Sequence, residues 1–235
     1  MSGWKAMRFW KDVTVAAVDG GFAVCADARV LKTPAKTELR LPTVAMAEAI
    51  AEEWRAVEGT IDPLRMPVTR AANAAIDKVA VQFDEVAGMI AAYGASDLLC
   101  YRAVAPEALC RAQAAAWDPM LDWAEQALGA RLVTTTGVVP VAQPSGALEK
   151  LARKVYEATP FQLTALHDLV SLSGSLILGL AATTEEFDVA NLWEMSRFDE
   201  DWQRRQWGDD EEASVIAEKK RTDFFRARHF WELCR

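Results

Sequence analysis

The sequence predicts an α+β protein: a small N-terminal antiparallel β-sheet with a covering helix, followed by a C-terminal α-helical bundle. Short β-prone runs punctuated by turn residues fill the first forty-one positions, and helical spacing rich in alanine fills the chain from Val68 onward. An irregular stretch holding Pro63 and Pro67 separates the two. Strands first and helices afterwards indicate segregated regions. The expected division is 1–67 for the N-terminal α+β domain and 68–235 for the helical bundle. A chain of 235 residues suits one to two domains at roughly 150 residues each.

Val13 to Val18, the turn pair Asp19-Gly20 and Phe22 to Cys25 read as strand, turn, strand. Asp27-Ala28 marks a second turn, leading to Val30-Leu31-Lys32 and, past Thr33-Pro34, to Leu39-Arg40-Leu41. Thr43 then suits a helix N-cap, and Ala47, Ile50, Ala51, Trp54 and Val57 form one apolar stripe before Gly59 ends it. That helix is expected to cover one face of the sheet.

The helices expected beyond the prolines are 69–81, 84–93, 106–128, 147–158, 162–182, 185–207 and 209–233. Glycine and proline breaks separate them, and Pro119 should kink or split the third. There is no internal repeat and no low-complexity linker.

Composition excludes several functions. Half the residues are hydrophobic and a quarter charged, and the net charge of −8 leaves no basic stripe for nucleic acid. Four scattered cysteines without a C-x-x-C, and two histidines, supply a metal site poorly, so neither metal nor cofactor is expected. The most apolar stretch, 169–182, carries three serines and two glycines and is shorter than the ~20 residues of a membrane span. It reads as a buried helix, and no membrane insertion is expected. Nor is there a continuous apolar segment near the start that would serve as a signal peptide.

Enzyme chemistry finds little footing. The phosphate-binding, dinucleotide-binding and zinc-protease signatures are absent. His167, Ser171 and Ser175 recur every four residues, so a nucleophile and base could share that helix face. The competing reading is a packed helix whose serines bond back to the backbone. A small-molecule enzyme using the His167/Ser175 helix, or an acidic interdomain cleft, is therefore the alternative; the main expectation is no enzyme, no catalytic residue and no small-molecule substrate. Asp97, Asp118 and Asp122 read as helix caps or ion-pair partners of Arg102 or Arg111.

The segment 198–213 is the most informative. It holds seven carboxylates, two arginines and the tryptophans Trp202 and Trp207. On one continuous helix, Val189, Trp193, Ser196, Glu200, Gln203 and Trp207 fall on a narrow face. Apolar ends with a carboxylate and an amide between them suit protein recognition better than a reaction centre. Glu200 and Gln203 lead as partner-binding candidates, with Asp199, Trp207 and Trp193 beside them. Two readings of Glu200 stand together: a contact residue, or an intrahelical partner of Arg197 or Arg204. Trp193 and Trp207 are open between core and interface, and Trp202 and Phe198 point the other way; whichever side is core leaves the opposite one to a partner.

Several phrases, in order, resemble the Atp12 family of chaperones that assist assembly of the F1 sector of ATP synthase. They are Leu31-Lys-Thr-Pro-Ala35, Ile61-Asp-Pro63 with Met66-Pro-Val-Thr-Arg70 and Asn73, Asp97-Leu-Leu-Cys-Tyr-Arg102, Trp117-Asp-Pro-Met-Leu-Asp-Trp123, Gly174-Ser175, and Asp199-Glu-Asp-Trp-Gln203 with Trp207-Gly-Asp209. The resemblance runs from about Phe9 to Phe230. It implies an α+β domain joined to a helical bundle, and a chaperone that binds the F1 α subunit and shields its interface before α pairs with β. It also implies a bacterial-type member acting in the cytoplasm, since no transit peptide is visible. Where the family's second β-turn reads Asp-Gly-Arg this chain has Asp27-Ala28-Arg29, so that hairpin is expected to use another turn type.

Overall fold

Six residues of β1 (Val13–Val18) pair antiparallel with β2 (Gly21–Ala26) around the Asp19-Gly20 turn. In the computed structural model, which describes residues 7–208 and 210–235, this hairpin belongs to a four-stranded sheet in which β2 pairs with the other three strands. The short strands β3 (Arg29–Val30) and β4 (Arg40–Leu41) pair with opposite ends of β2. At the turn between β2 and β3 the left-handed residue is Asp27, with φ of 53°, and Ala28 keeps a negative φ. The turn type therefore differs from one that needs glycine at position 28, as the sequence predicts. Aspartate tolerates this conformation better than most residues. Its Oδ1 also accepts hydrogen bonds from the N–H groups of Lys11 (3.0 Å) and Asp12 (2.9 Å), which hold the carboxyl below its usual value of 3.8.

Helix α1 (Val44–Arg55) packs on β1 and β2. Thr43 caps it, its Oγ1 accepting from Met46 N at 3.1 Å. Ala47, Ile50 and Ala51 of the predicted stripe are buried, together with Met46. In its last turn, Glu53 turns to the next helix, α2 (Pro67–Ala74), accepting from Val68 N (2.7 Å), Thr69 N (2.8 Å) and Thr69 Oγ1 (2.6 Å). A carboxylate there satisfies otherwise orphaned N–H groups and suits the positive end of the peptide dipoles. Helix α2 runs on into a wider turn, Ala75–Val79, whose Asp77 accepts from Thr33 Oγ1 (2.7 Å) and Ala35 N (3.1 Å). The Lys32-Thr33-Pro34 phrase thus serves the fold through Thr33.

The chain forms two compact units. The first extends to Phe83 and takes in Thr159–Ala165 and His229–Arg235 as well. In it the sheet and α1 share a core with Ala165 and Phe230, and the rings of Phe161 and Phe230 lie 6.4 Å apart.

The second unit is helical apart from one two-residue parallel ladder, β5 (Tyr101–Arg102) with β6 (Thr135–Thr136), which the sequence did not suggest. Its helices include α4 (Glu107–Leu128), α5 (Ser145–Tyr156), α7 (Leu176–Ala181), all of α3 (Phe83–Ala91) after its first residue, and α6 (Pro160–Ser173) from Leu166 onward. Pro119 does not split α4. Trp117, Met120 and Leu121 beside it are buried.

The single helix expected over 162–182 is instead two. Gly174, at φ of 72°, turns the chain out of α6, and Ser175 caps α7 by accepting from Leu178 N at 3.0 Å. Asp97 completes this cap. Fully buried, it accepts from Leu99 N at 3.0 Å and from Ile177 N at 3.1 Å, and burial raises its carboxyl above the ordinary range. Close approach of α7 to α6 requires Gly179, where a Cβ would come within 2.4 Å of Val170 Cγ2.

Candidate partner-binding site

The expected helix 185–207 is also broken. Helix α8 (Val189–Ser196) ends at Arg197, with φ of −107° and ψ of 11°, and α9 (Phe198–Trp207) starts beyond it. Asp188 caps α8 by accepting from Ala190 N (2.7 Å) and Asn191 N (3.1 Å). The six-residue stripe drawn on one helix therefore divides into two environments. Trp193 and Ser196 are buried in α8, and the Trp193 ring lies 5.5 Å from that of Phe224 in α10 (Glu211–Glu232). Glu200, Gln203 and Trp207 are exposed on α9.

Helix α4 holds the joint between α8 and α9. Trp117 is fully buried, donates from Nε1 to the Met195 carbonyl at 3.0 Å, and meets the Phe198 ring edge-on at 6.0 Å. One turn earlier Gln113, also fully buried, donates from Nε2 to Asp199 Oδ1 at 2.6 Å and accepts at Oε1 from Ala103 N at 2.8 Å. Arg102 backs the pair. Its guanidinium lies 5.3 Å from the centroid of the Trp117 ring, and Nη2 pairs with Asp118 at 2.8 Å. Asp122 pairs with Arg131 and not with Arg111.

Beyond this clamp the chain has little hold on any core. No described residue between Ser196 and Phe224 is buried. Phe198 and Trp202 are half-buried, which turns Glu200, Gln203 and Trp207 toward solvent. Trp207 is 81% exposed, an unusual condition for a tryptophan, and Val215 (66%) and Ile216 (50%) follow in α10. The first turn of α9 carries Asp199, Glu200 and Asp201 and its last turn Arg204 and Arg205, matching the peptide dipoles at each end. Glu200 accepts from Arg197 Nη1 at 2.6 Å, and Asp201 pairs with Arg204 at 3.3 Å. The Glu200 side chain is 52% exposed, so its pair with Arg197 contributes only a few tenths of a kcal/mol.

The predicted candidates thus fall into two groups. Glu200, Gln203 and Trp207 share an outward face at spacings of three and four. Asp199 and Trp193 are bound into the fold, by Gln113 and by packing on Phe224. Asp199 and Glu200 are neighbouring carboxylates, yet the first is bonded by buried Gln113 and the second by Arg197.

The serine–histidine alternative does not assemble. His167 pairs with its neighbour Asp168 at 2.9 Å, which raises the imidazole pKa. Ser175 is fully buried, and its hydroxyl is engaged by Leu178 N and by Asp97.

The sequence profile of the ATP12 chaperone protein family matches residues 7–125. The chain is 53% identical to Atp12 of Paracoccus denitrificans, with a TM-score of 0.96 over 98% of this chain and 99% of that one. It belongs to the ATP12 chaperone family. A mutant of the same Paracoccus protein superposes equally well, at 53% identity and a TM-score of 0.96 over 98% of each chain. A candidate chaperone of Agrobacterium tumefaciens matches at 42% identity and a TM-score of 0.92, over 97% of this chain and 86% of that one. The family is one of chaperones. Among the described residues no helix is long and apolar enough to cross a membrane.

Sequence reasoning missed Gln113 and the exposed pair Val215-Ile216. Gln113 gave no local signal, being one polar residue in an alanine-rich helix. Val215-Ile216 could have been found as an apolar pair amid charge, directly after the acidic run.

Proposed function

We propose that this protein is an assembly chaperone of ATP synthase that binds the F1 α subunit and covers its interface until β arrives. The observation that carries the reading is helix α9, which has no fully buried residue and offers Glu200, Gln203 and Trp207 to solvent as one face. A tryptophan anchor supplies binding energy, and the acidic surround selects the partner and speeds encounter. In this reading Asp199 and Trp193 hold the face in place and do not touch the client. Release follows when β competes for the covered surface. The protein acts as a binding protein without cofactor or catalytic step, in the bacterial cytoplasm.

Co-purification of tagged protein with the α subunit under native conditions tests this. Retention of α, lost in Glu200→Lys at an unchanged unfolding midpoint, is the expected result. No retention of α by the folded native protein overturns the reading. A large stability loss in Glu200→Lys would instead make Glu200 a structural residue.

A further inference from the structure

We infer that Gln113 is the positioning residue of the recognition helix: its buried amide ties Asp199 to the chain after β5 and thereby sets the direction in which α9 leaves the fold. The functional meaning rests on α9 being the client-binding helix; the geometry stands without it.

A fully buried glutamine must find partners for both ends of its amide or carry a desolvation cost. Here each end has one. Ala103 N–H fixes the amide oxygen, and that fixes the edge from which Nε2 reaches Asp199. Because the acceptor is an ionised carboxylate at 2.6 Å, this bond is of the strong, charge-assisted kind. Four residues on, and so on the same side of α4, Trp117 grips Met195 and Phe198. Helix α4 thus holds the chain on both sides of Arg197, where the helical course breaks. Asp199 is held by a fully buried side chain, and no described residue from there to Phe224 is itself buried. A two-point grip fixes a direction; with Trp117 alone α9 keeps its attachment and loses its heading.

Gln113→Glu sets a carboxylate against Asp199 and leaves an oxygen for Ala103 N–H. Asp199→Asn in that background restores the bond with donor and acceptor exchanged. Amide hydrogen exchange of the free full-length protein reads the result. Gln113→Glu should speed exchange across 200–207 by about tenfold or more, as expected for loss of a bond to a charged group, with the α4 amides at native rates. The double variant should return 200–207 to native rates, which restoring packing alone would not achieve. Should Gln113→Glu fail to fold, Asp199→Ala removes the same bond from the half-buried side and should give the same local acceleration. Native exchange across 200–207 in the single variants, or no recovery in the double variant, overturns the inference. Since no client is present, a failure of the α-subunit reading does not affect this outcome.

Discussion

Trp117 and Met195, 78 residues apart, are joined by an indole N–H to carbonyl bond of 3.0 Å. The carbonyl belongs to the last turn of α8, where the helix cannot supply a donor of its own. The bond therefore does two things at once. It satisfies a polar atom in the largest fully buried side chain of the second unit, and it closes the end of α8 so that the chain can turn at Arg197.

Trp117→Phe keeps a ring beside Phe198 and removes the donor. Leaving the Met195 carbonyl unmatched should cost about 1–3 kcal/mol. A urea titration checks this through its midpoint at unchanged m; a loss below about 0.5 kcal/mol would show that the bond is dispensable.

Trp207→Ala should separate binding from folding. With its side chain already in solvent, the unfolding free energy should stay within about 0.5 kcal/mol of native. Calorimetric titration with the α subunit should show a weakening of about 2 kcal/mol or more, the signature of an anchor residue. Native affinity in this variant would remove Trp207 from the contact surface.

Gly179→Ala tests the approach of α7 to α6. The added methyl meets Val170 and should cost about 1–3 kcal/mol through overpacking. Thermal unfolding followed by circular dichroism gives the answer, and a variant as stable as native would mean that the two helices separate freely.

The turn at Asp27 predicts a pH dependence. Hydrogen bonds from Asp12 and Lys11 place the folded carboxyl below the ordinary 3.8, so the folded state releases this proton more readily than the unfolded chain. The contribution is present above about pH 4 and is lost as pH falls through the folded value. Asp27→Asn preserves the left-handed turn and discards the charge. Its midpoint should lie below native at pH 7 and converge with native in acid; a gap that widens in acid contradicts the assignment.

Ala28→Gly completes the test of that turn. Because Ala28 already sits at negative φ, glycine relieves no strain and enlarges only the unfolded ensemble. The cost should be about 0.4–1 kcal/mol by chemical denaturation. Stabilisation would show that position 28 is strained after all.

The parts of this architecture that were legible in the sequence are those written locally. Asp19-Gly20 and the flanking alternation announce the first hairpin, and Thr43 with the Ala47–Ile50–Ala51 spacing announces α1 and its buried face. The breaks at Gly174 and Arg197 were not legible, because apolar spacing continues across both. What ends those helices lies far off in sequence. Asp97 captures the start of α7, while Gln113 and Trp117 capture the joint before α9. The candidate site suffered for the same reason. Trp193 and Trp207 fit one helical stripe on paper, yet a single non-helical residue between them sends one inward and the other into solvent. Glu200, Gln203 and Trp207 kept their common face because they lie within one uninterrupted helix.

The run without buried residues between Ser196 and Phe224 has a consequence for how such a chaperone can change. Substitutions at its outward positions, Glu200, Gln203 and Trp207, replace no side chain that the fold buries. On the proposal that this face meets the client, stability and client choice rest on different residues. On that proposal α9 can follow a drifting client surface at these positions while Gln113 and Trp117 of α4 keep the same mount.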